Sequence, residues 1–81
     1  MQVKLYALST CPYCRMTRRY LDENNVGYDL TEVDLLEGKE KDDAVAEVRR
    51  ISGGASFPVV VVGDEVIVGF NKARIMELLG L

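Results

Sequence analysis

Apolar residues along the chain alternate between short extended runs and helix-spaced sets. Val3 to Leu8 is almost continuously apolar, the pattern of a strand covered on both faces. Pro12 suits a first helical turn, and Tyr13 to Asn25 holds few breakers, with Met16, Tyr20 and Leu21 as the inward contacts. Asn24-Asn25-Val26-Gly27 ends that helix. Tyr28 to Asp34 is a second strand, less regular and more polar, which places it at a sheet edge. From Lys39 onward Ala44, Val45, Val48 and Ile51 recur at helical spacing against a charged face until Ser52-Gly53-Gly54 stops the pattern.

Phe57-Pro58 then introduces Val59 to Val62, four β-branched residues that do not distinguish inside from outside and so predict a central strand. Gly63-Asp64 is a two-residue hairpin turn, and Glu65 to Val68 returns antiparallel. A last helix starts at Asn71, whose side chain can cap it, and buries Ile75, Leu78 and Leu79. The order is βαβαββα, an α/β arrangement in which a parallel βαβ unit and a hairpin share a four-stranded mixed sheet flanked by helices on both faces.

Composition narrows the functional classes. The 81 residues, 48% of them apolar, make one small domain, residues 1–81, near the lower size limit for folding on an apolar core alone. No apolar run approaches the roughly 20 residues of a membrane helix, and the chain opens on a strand-like segment with none of the marks of a secretory leader. The expected location is cytoplasmic, where a stable structural disulfide is unusual. A net charge of −3 gives no argument for nucleic acid. Its distribution is uneven: residues 1–20 hold Lys4, Arg15, Arg18 and Arg19 and no acid, whereas the acids crowd between Asp22 and Glu47.

The basic end contains Cys11-Pro12-Tyr13-Cys14, the only cysteines of the chain, set where a strand gives way to a helix. A thiol attacks a disulfide only as thiolate, and a helix N-terminus or nearby cations favour that form. Cys11 has this position, and Cys14 lies about one turn further in, close enough for a disulfide yet more shielded. Cys11 is therefore the expected nucleophile and Cys14 the resolving thiol. Pro12 stiffens the turn without losing a needed donor. Arg15 either adds charge or points into water, and Tyr13 either offers an aromatic face to a thiol substrate or is a surface ring.

A structural zinc site needs four protein ligands and a catalytic one usually three, whereas the chain has two cysteines and no histidine. No metal ligand set is therefore expected. An iron–sulfur cluster is open only by sharing, with Cys11 from two chains and two glutathione thiolates. An inert structural disulfide fits neither the expected compartment nor the helix-start position.

Three motifs in order, Cys11-Pro12-Tyr13-Cys14, Ser56-Phe57-Pro58 before the valine strand, and Gly69 before the last helix, make the chain resemble a glutaredoxin over nearly its whole length. The resemblance implies a thioredoxin fold, a cis bond before Pro58, a reversible Cys11–Cys14 disulfide, and a monomer acting on disulfide-containing proteins without a bound cofactor. It implies a substrate or glutathione surface formed by Tyr13, Ser56, Phe57, Pro58, Gly69, Phe70 and Asn71, with Pro12 and Arg15 in support. By itself, a proline opening a strand can equally be a packing device.

The pattern departs from the family at the glutathione contacts. Glutaredoxins usually carry lysine three positions before the first cysteine, where this chain has Leu8. They also tend to carry a glycine pair, a polar residue and an aspartate near the last helix, where this chain has Gly69-Phe70-Asn71-Lys72. Backbone N–H groups after Asn71 can still receive a carboxylate, and Lys72 can replace part of the lost charge. Gly69-Phe70 is similar to the redoxins that serve ribonucleotide reductase and are recharged by thioredoxin reductase. Phe70 is then either part of a docking patch with Tyr13 and Phe57 or a plug between hairpin and helix. The electron donor is glutathione or thioredoxin reductase, and the Pro12 position argues against the cluster-carrying members.

Overall fold

The four valines lie at the middle of a four-stranded sheet in the computed structural model, which describes residues 2–54 and 56–81. In chain order the elements are β1 (Val3–Ala7), α1 (Pro12–Glu23), β2 (Asp29–Glu32), a 3-10 turn (Val33–Leu35), α2 (Gly38–Ser52), β3 (Val59–Val62), β4 (Glu65–Val68) and α3 (Lys72–Leu79). The strands are ordered β2-β1-β3-β4, with β1 parallel to β2 and antiparallel to β3, and β3 antiparallel to β4. The expected βαβαββα order and edge position of the second strand are present.

Register separates the two faces. Leu5 pairs with Val60, which pairs with Ile67, and this row is buried against Cys14 and Leu21 of α1 and Ile75 of α3. Tyr6, Val59 and Val68 form a row on the opposite face, where α2 packs against the 3-10 turn and β4. Val33, Val48 and Val59 are buried outside the larger cluster, so the small chain has two unequal cores around one sheet.

Three expectations need correction. β1 is not covered on both faces: Val3, Leu5 and Ala7 are buried, whereas Lys4 is exposed and Tyr6 half-buried, because α2 leaves part of its face of the sheet open. Met16 is exposed and is not an inward contact. The buried residues of α1 are Cys14, Thr17 and Leu21, spaced three and four apart; Met16, two positions from Cys14, falls about 200° around the helix from it. The second strand is also shorter than Tyr28 to Asp34. Its ladder with β1 ends at Glu32 opposite Ala7, and the chain then turns to bury Val33.

Helix ends follow local chemistry. Asn25 takes φ 57° just after α1, and Gly53 takes φ 78° at the end of α2, where its N–H donates to the Arg49 carbonyl at 2.9 Å. The Asn71 side chain accepts from the Arg74 N–H at 3.1 Å and caps α3 as expected.

Candidate active site at the first helix

Because β1, β2 and β4 run one way and β3 the other, their C-terminal ends and the start of β3 meet at one end of the sheet. That end carries the loop into α1, the 3-10 turn, Pro58, and Gly69 with the start of α3. Sites of open α/β sheets form in this place. The topology thus joins residues from 11 to 71 that the sequence holds far apart.

Cys11 is the N-cap of α1, with extended backbone (φ −84°, ψ 120°) and Pro12 in the first turn. Its N–H donates to the Leu8 carbonyl at 3.2 Å and its carbonyl accepts from the Arg15 N–H at 3.1 Å. Cys11 is partly exposed; Cys14, one turn inward, is 1% exposed and belongs to the main core. Both are free thiols. The spacing is local, but the difference in burial comes from the sheet beneath.

That difference sets the acidities. Burial raises the Cys11 value, but the Cys14 N–H, the Cys14 thiol and the Tyr13 N–H outweigh it and bring Cys11 below an ordinary thiol. The Cys11 side chain makes no capping hydrogen bond of ordinary geometry, so these groups act as oriented dipoles at the helix start. Cys14 is pushed up to about 11, first by burial and then by the Cys11 side chain and the Asp34 charge, against the opposing Leu8 N–H. Leu8 donates that N–H to Cys14 Sγ at 3.4 Å. One thiol is prepared as thiolate and the other is kept protonated.

The remaining expected residues separate into two groups. The Phe57-Pro58 bond is cis, Pro58 is buried, and the Pro58 carbonyl accepts from the Gly69 N–H at 2.7 Å, which ties the start of β3 to the end of β4. Gly69 has φ 81°, and a Cβ there would meet nothing within 4 Å, so the requirement is backbone conformation rather than space. Phe57 and Phe70 are half-buried against the core, with Phe70 edge-on to Tyr20 at 6.3 Å between ring centroids. Tyr13 is 62% exposed, and Ser56, Pro12 and Asn71 are exposed. Arg15 is exposed, and its Nη2 lies 3.5 Å from the Ser9 carbonyl rather than at Cys11.

The local positive charge is partly spent on neighbours. Arg18 pairs with Glu32 at 3.5 Å and Arg19 with Glu23 at 3.3 Å, while Lys72 lies over the Tyr20 ring at 5.3 Å. A groove of about 310 Å³ beside α1 is lined by Met16, Arg19, Tyr20, Glu23, Phe70 and Lys72. Among the described residues no group of three or more His, Cys, Asp or Glu side chains is arranged to hold a metal ion.

Sequence reasoning missed Ser9 and Asp34. The Asp34 carboxylate accepts from the Ser9 N–H at 2.8 Å and from the Ser9 hydroxyl at 2.5 Å. Nothing in the spacing of two residues 25 positions apart announces this pair. Thr17 was also missed: it is fully buried, and its hydroxyl donates to the Tyr13 carbonyl at 2.8 Å, so a polar side chain sits in the core without an unsatisfied group.

Comparison with known proteins bears on the family and the fold. Residues 3–67 match the family model described as glutaredoxin. The chain is 35% identical over 78 residues to a glutaredoxin-like 8.6 kDa protein in the rubredoxin operon of Clostridium pasteurianum, covering 95% of this chain and 96% of that one. Among solved structures, a glutaredoxin from Archaeoglobus fulgidus superposes with a TM-score of 0.93 at 40% identity, over 96% of this chain and 85% of that one. The glutaredoxin-like NrdH-redoxin of Escherichia coli superposes with a TM-score of 0.78 at 28% identity, over 96% and 95%. The mixed sheet with its flanking helices is a thioredoxin fold, and the chain belongs to the glutaredoxin family.

Proposed function

We propose that this protein is a cytoplasmic thiol-disulfide oxidoreductase that reduces protein or glutathione mixed disulfides with Cys11 and Cys14. The observation that carries the reading is the opposed preparation of the two thiols: Cys11 is partly exposed at a helix start with its acidity raised, and Cys14 is buried with its proton held to about pH 11. The Cys11 thiolate attacks one sulfur of the target disulfide. A Cys11–target bond forms, and the other target sulfur leaves as thiolate and takes up a proton. Cys14 then loses its proton to water and attacks Cys11 Sγ, which releases the second target thiol and leaves the Cys11–Cys14 disulfide. The target gains two electrons and the dithiol loses two.

Tyr13 and the backbone around Phe57-Pro58 present the surface on which an extended substrate or glutathione lies, and Gly69, Phe70 and Asn71 close its far side. Ser56 stands at the rim of that surface. A second reading concerns the donor. Leu8 occupies the place of the family's usual lysine, and Phe70 stands where the second glycine of the pair is usual and packs on Tyr20. These features support a redoxin recharged by thioredoxin reductase, in keeping with the similarity to the E. coli NrdH-redoxin.

Both parts are testable together. The oxidised protein is offered glutathione in one arm and NADPH with thioredoxin reductase in the other. Reduction in the first arm supports glutathione, and reduction only in the second supports the other donor. Cys11→Ser should abolish disulfide reduction, and Cys14→Ser should accumulate the Cys11 mixed disulfide. Full activity of Cys11→Ser would overturn the mechanism, and no reduction by either donor would overturn both donor assignments.

A further inference from the structure

Ser9 and Asp34 meet because of register. β1 and β2 run parallel with Ala7 opposite Glu32, and two residues beyond each partner the chain reaches Ser9 and Asp34. The pairing continues past the ladder through side chains: both oxygens of the half-buried Asp34 are engaged by Ser9, one by its N–H and one by its hydroxyl. The residue before Ser9 is Leu8, whose N–H donates to Cys14 Sγ and whose carbonyl accepts from the Cys11 N–H. Asp34 therefore holds the Leu8–Ser9 peptide, whose carbonyl takes the Cys11 N–H, directly after the Leu8 N–H that reaches Cys14. A plain loop anchor would not need to hold a charge at this place, and the charge bears on a thiol that must lose a proton during the reaction.

We propose that Ser9 and Asp34 form a clamp that sets the second thiol exchange in two ways: it aims the Leu8 N–H at Cys14, which readies that thiol for attack, and it holds a fixed negative charge whose field shifts the exchange to higher pH. Asp34 acts through the loop and through its field, so it is a positioning residue. The inference rests on the two-thiol mechanism above.

The surroundings are consistent with this role. Asp34 is held below the usual carboxylate range first by the Ser9 hydroxyl and then by the Ser9 N–H, with Lys41 of α2 adding a positive charge. It stays ionised throughout the neutral range. The groups that act on the Cys14 thiol are the Leu8 N–H and Cys11 by contact and Asp34 through its charge; Arg15 meets the clamp only at the Ser9 carbonyl.

The test is a rapid-mixing reaction of the reduced protein with dithionitrobenzoate. Attack by Cys11 releases one coloured thiolate and leaves a Cys11–thionitrobenzoate disulfide. Attack by Cys14 on Cys11 Sγ releases the second thiolate and leaves the intramolecular disulfide. The first burst reports the two-thiol reading, and the second reports the clamp. In Asp34→Asn the pH profile of the second burst, and the ultraviolet titration of the Cys14 thiolate, should move to lower pH. Ser9→Ala keeps the charge and should slow the second burst about 3- to 10-fold without moving its profile, the scale of one lost positioning hydrogen bond.

An unmoved profile in a folded Asp34→Asn protein overturns the clamp. If that variant does not fold, Ser9→Ala decides: an unchanged second burst overturns the proposal, and a slowed burst with an unmoved profile supports it. Absence of a first burst from Cys11 in the parent protein would instead overturn the underlying mechanism.

Discussion

Cys11 and Cys14 occupy one helical turn, yet their protons are bound with opposite strength, and the consequence is a defined pH dependence. Alkylation of Cys11 should rise with pH around a midpoint below the ordinary thiol value, while Cys14 should stay unreactive until far higher pH. Stability follows the same shifts. Between the ordinary thiol value of 9.0 and about 11, the unfolded chain has released the Cys14 proton and the folded protein has not. Stability therefore falls as pH rises through that window. Cys11 has the opposite sign: its depressed folded value adds stability above the ordinary thiol value, lost as pH falls through the folded value. Denaturant midpoints measured across the window should fall less steeply in Cys14→Ala than in the parent. Equal slopes would show that Cys14 is not held protonated by the fold.

At the scale of elements, the helix starts determine where chemistry is possible. α1 begins on a cysteine and a proline rather than on a capping hydroxyl or carboxylate, which leaves its first N–H groups turned to the Cys11 sulfur. α3 begins on Asn71, whose side chain takes the Arg74 N–H. Replacing Asn71 by alanine should lower stability by about 1 kcal/mol. A loss much below that size, read from denaturant unfolding, would mean that packing of Ile75 alone holds the helix start.

These elements were legible in the sequence because each depends on neighbours a few positions away. The valine run, the Gly63-Asp64 turn, the Asn71 cap and the Gly53 stop all appear where the pattern places them. The differences from the sequence pattern are contacts between elements. Lys4 lies uncovered because apolar spacing does not say how much of a sheet face a helix reaches, Met16 points outward because Cys14, Thr17 and Leu21 define the inner side of α1, and Asp34 leaves the strand because the ladder with β1 ends at Glu32.

At the scale of the molecule, the domain has little reserve. Two helices cover one face of the sheet and a single helix part of the other, and Leu5 at the middle of the larger core is fully buried. Leu5→Ala should cost about 2–5 kcal/mol, a large part of the roughly 5–15 kcal/mol that a domain has in total. A smaller loss in chemical denaturation would place the stability in the α2 layer instead. The described residues contain no helix long and apolar enough to cross a membrane.

The sequence by itself determined the tetrapeptide, its place at a strand-to-helix junction and the order of the thiols, since three residues of spacing and a helix start are local properties. Only the tertiary structure decided how different the two thiols are. Burial of Cys14 depends on α1 lying over Leu5 and Val60, and the Ser9–Asp34 pair depends on the parallel register of β1 and β2. Both are contacts between segments far apart in the chain, and such contacts exist only once the sheet has closed.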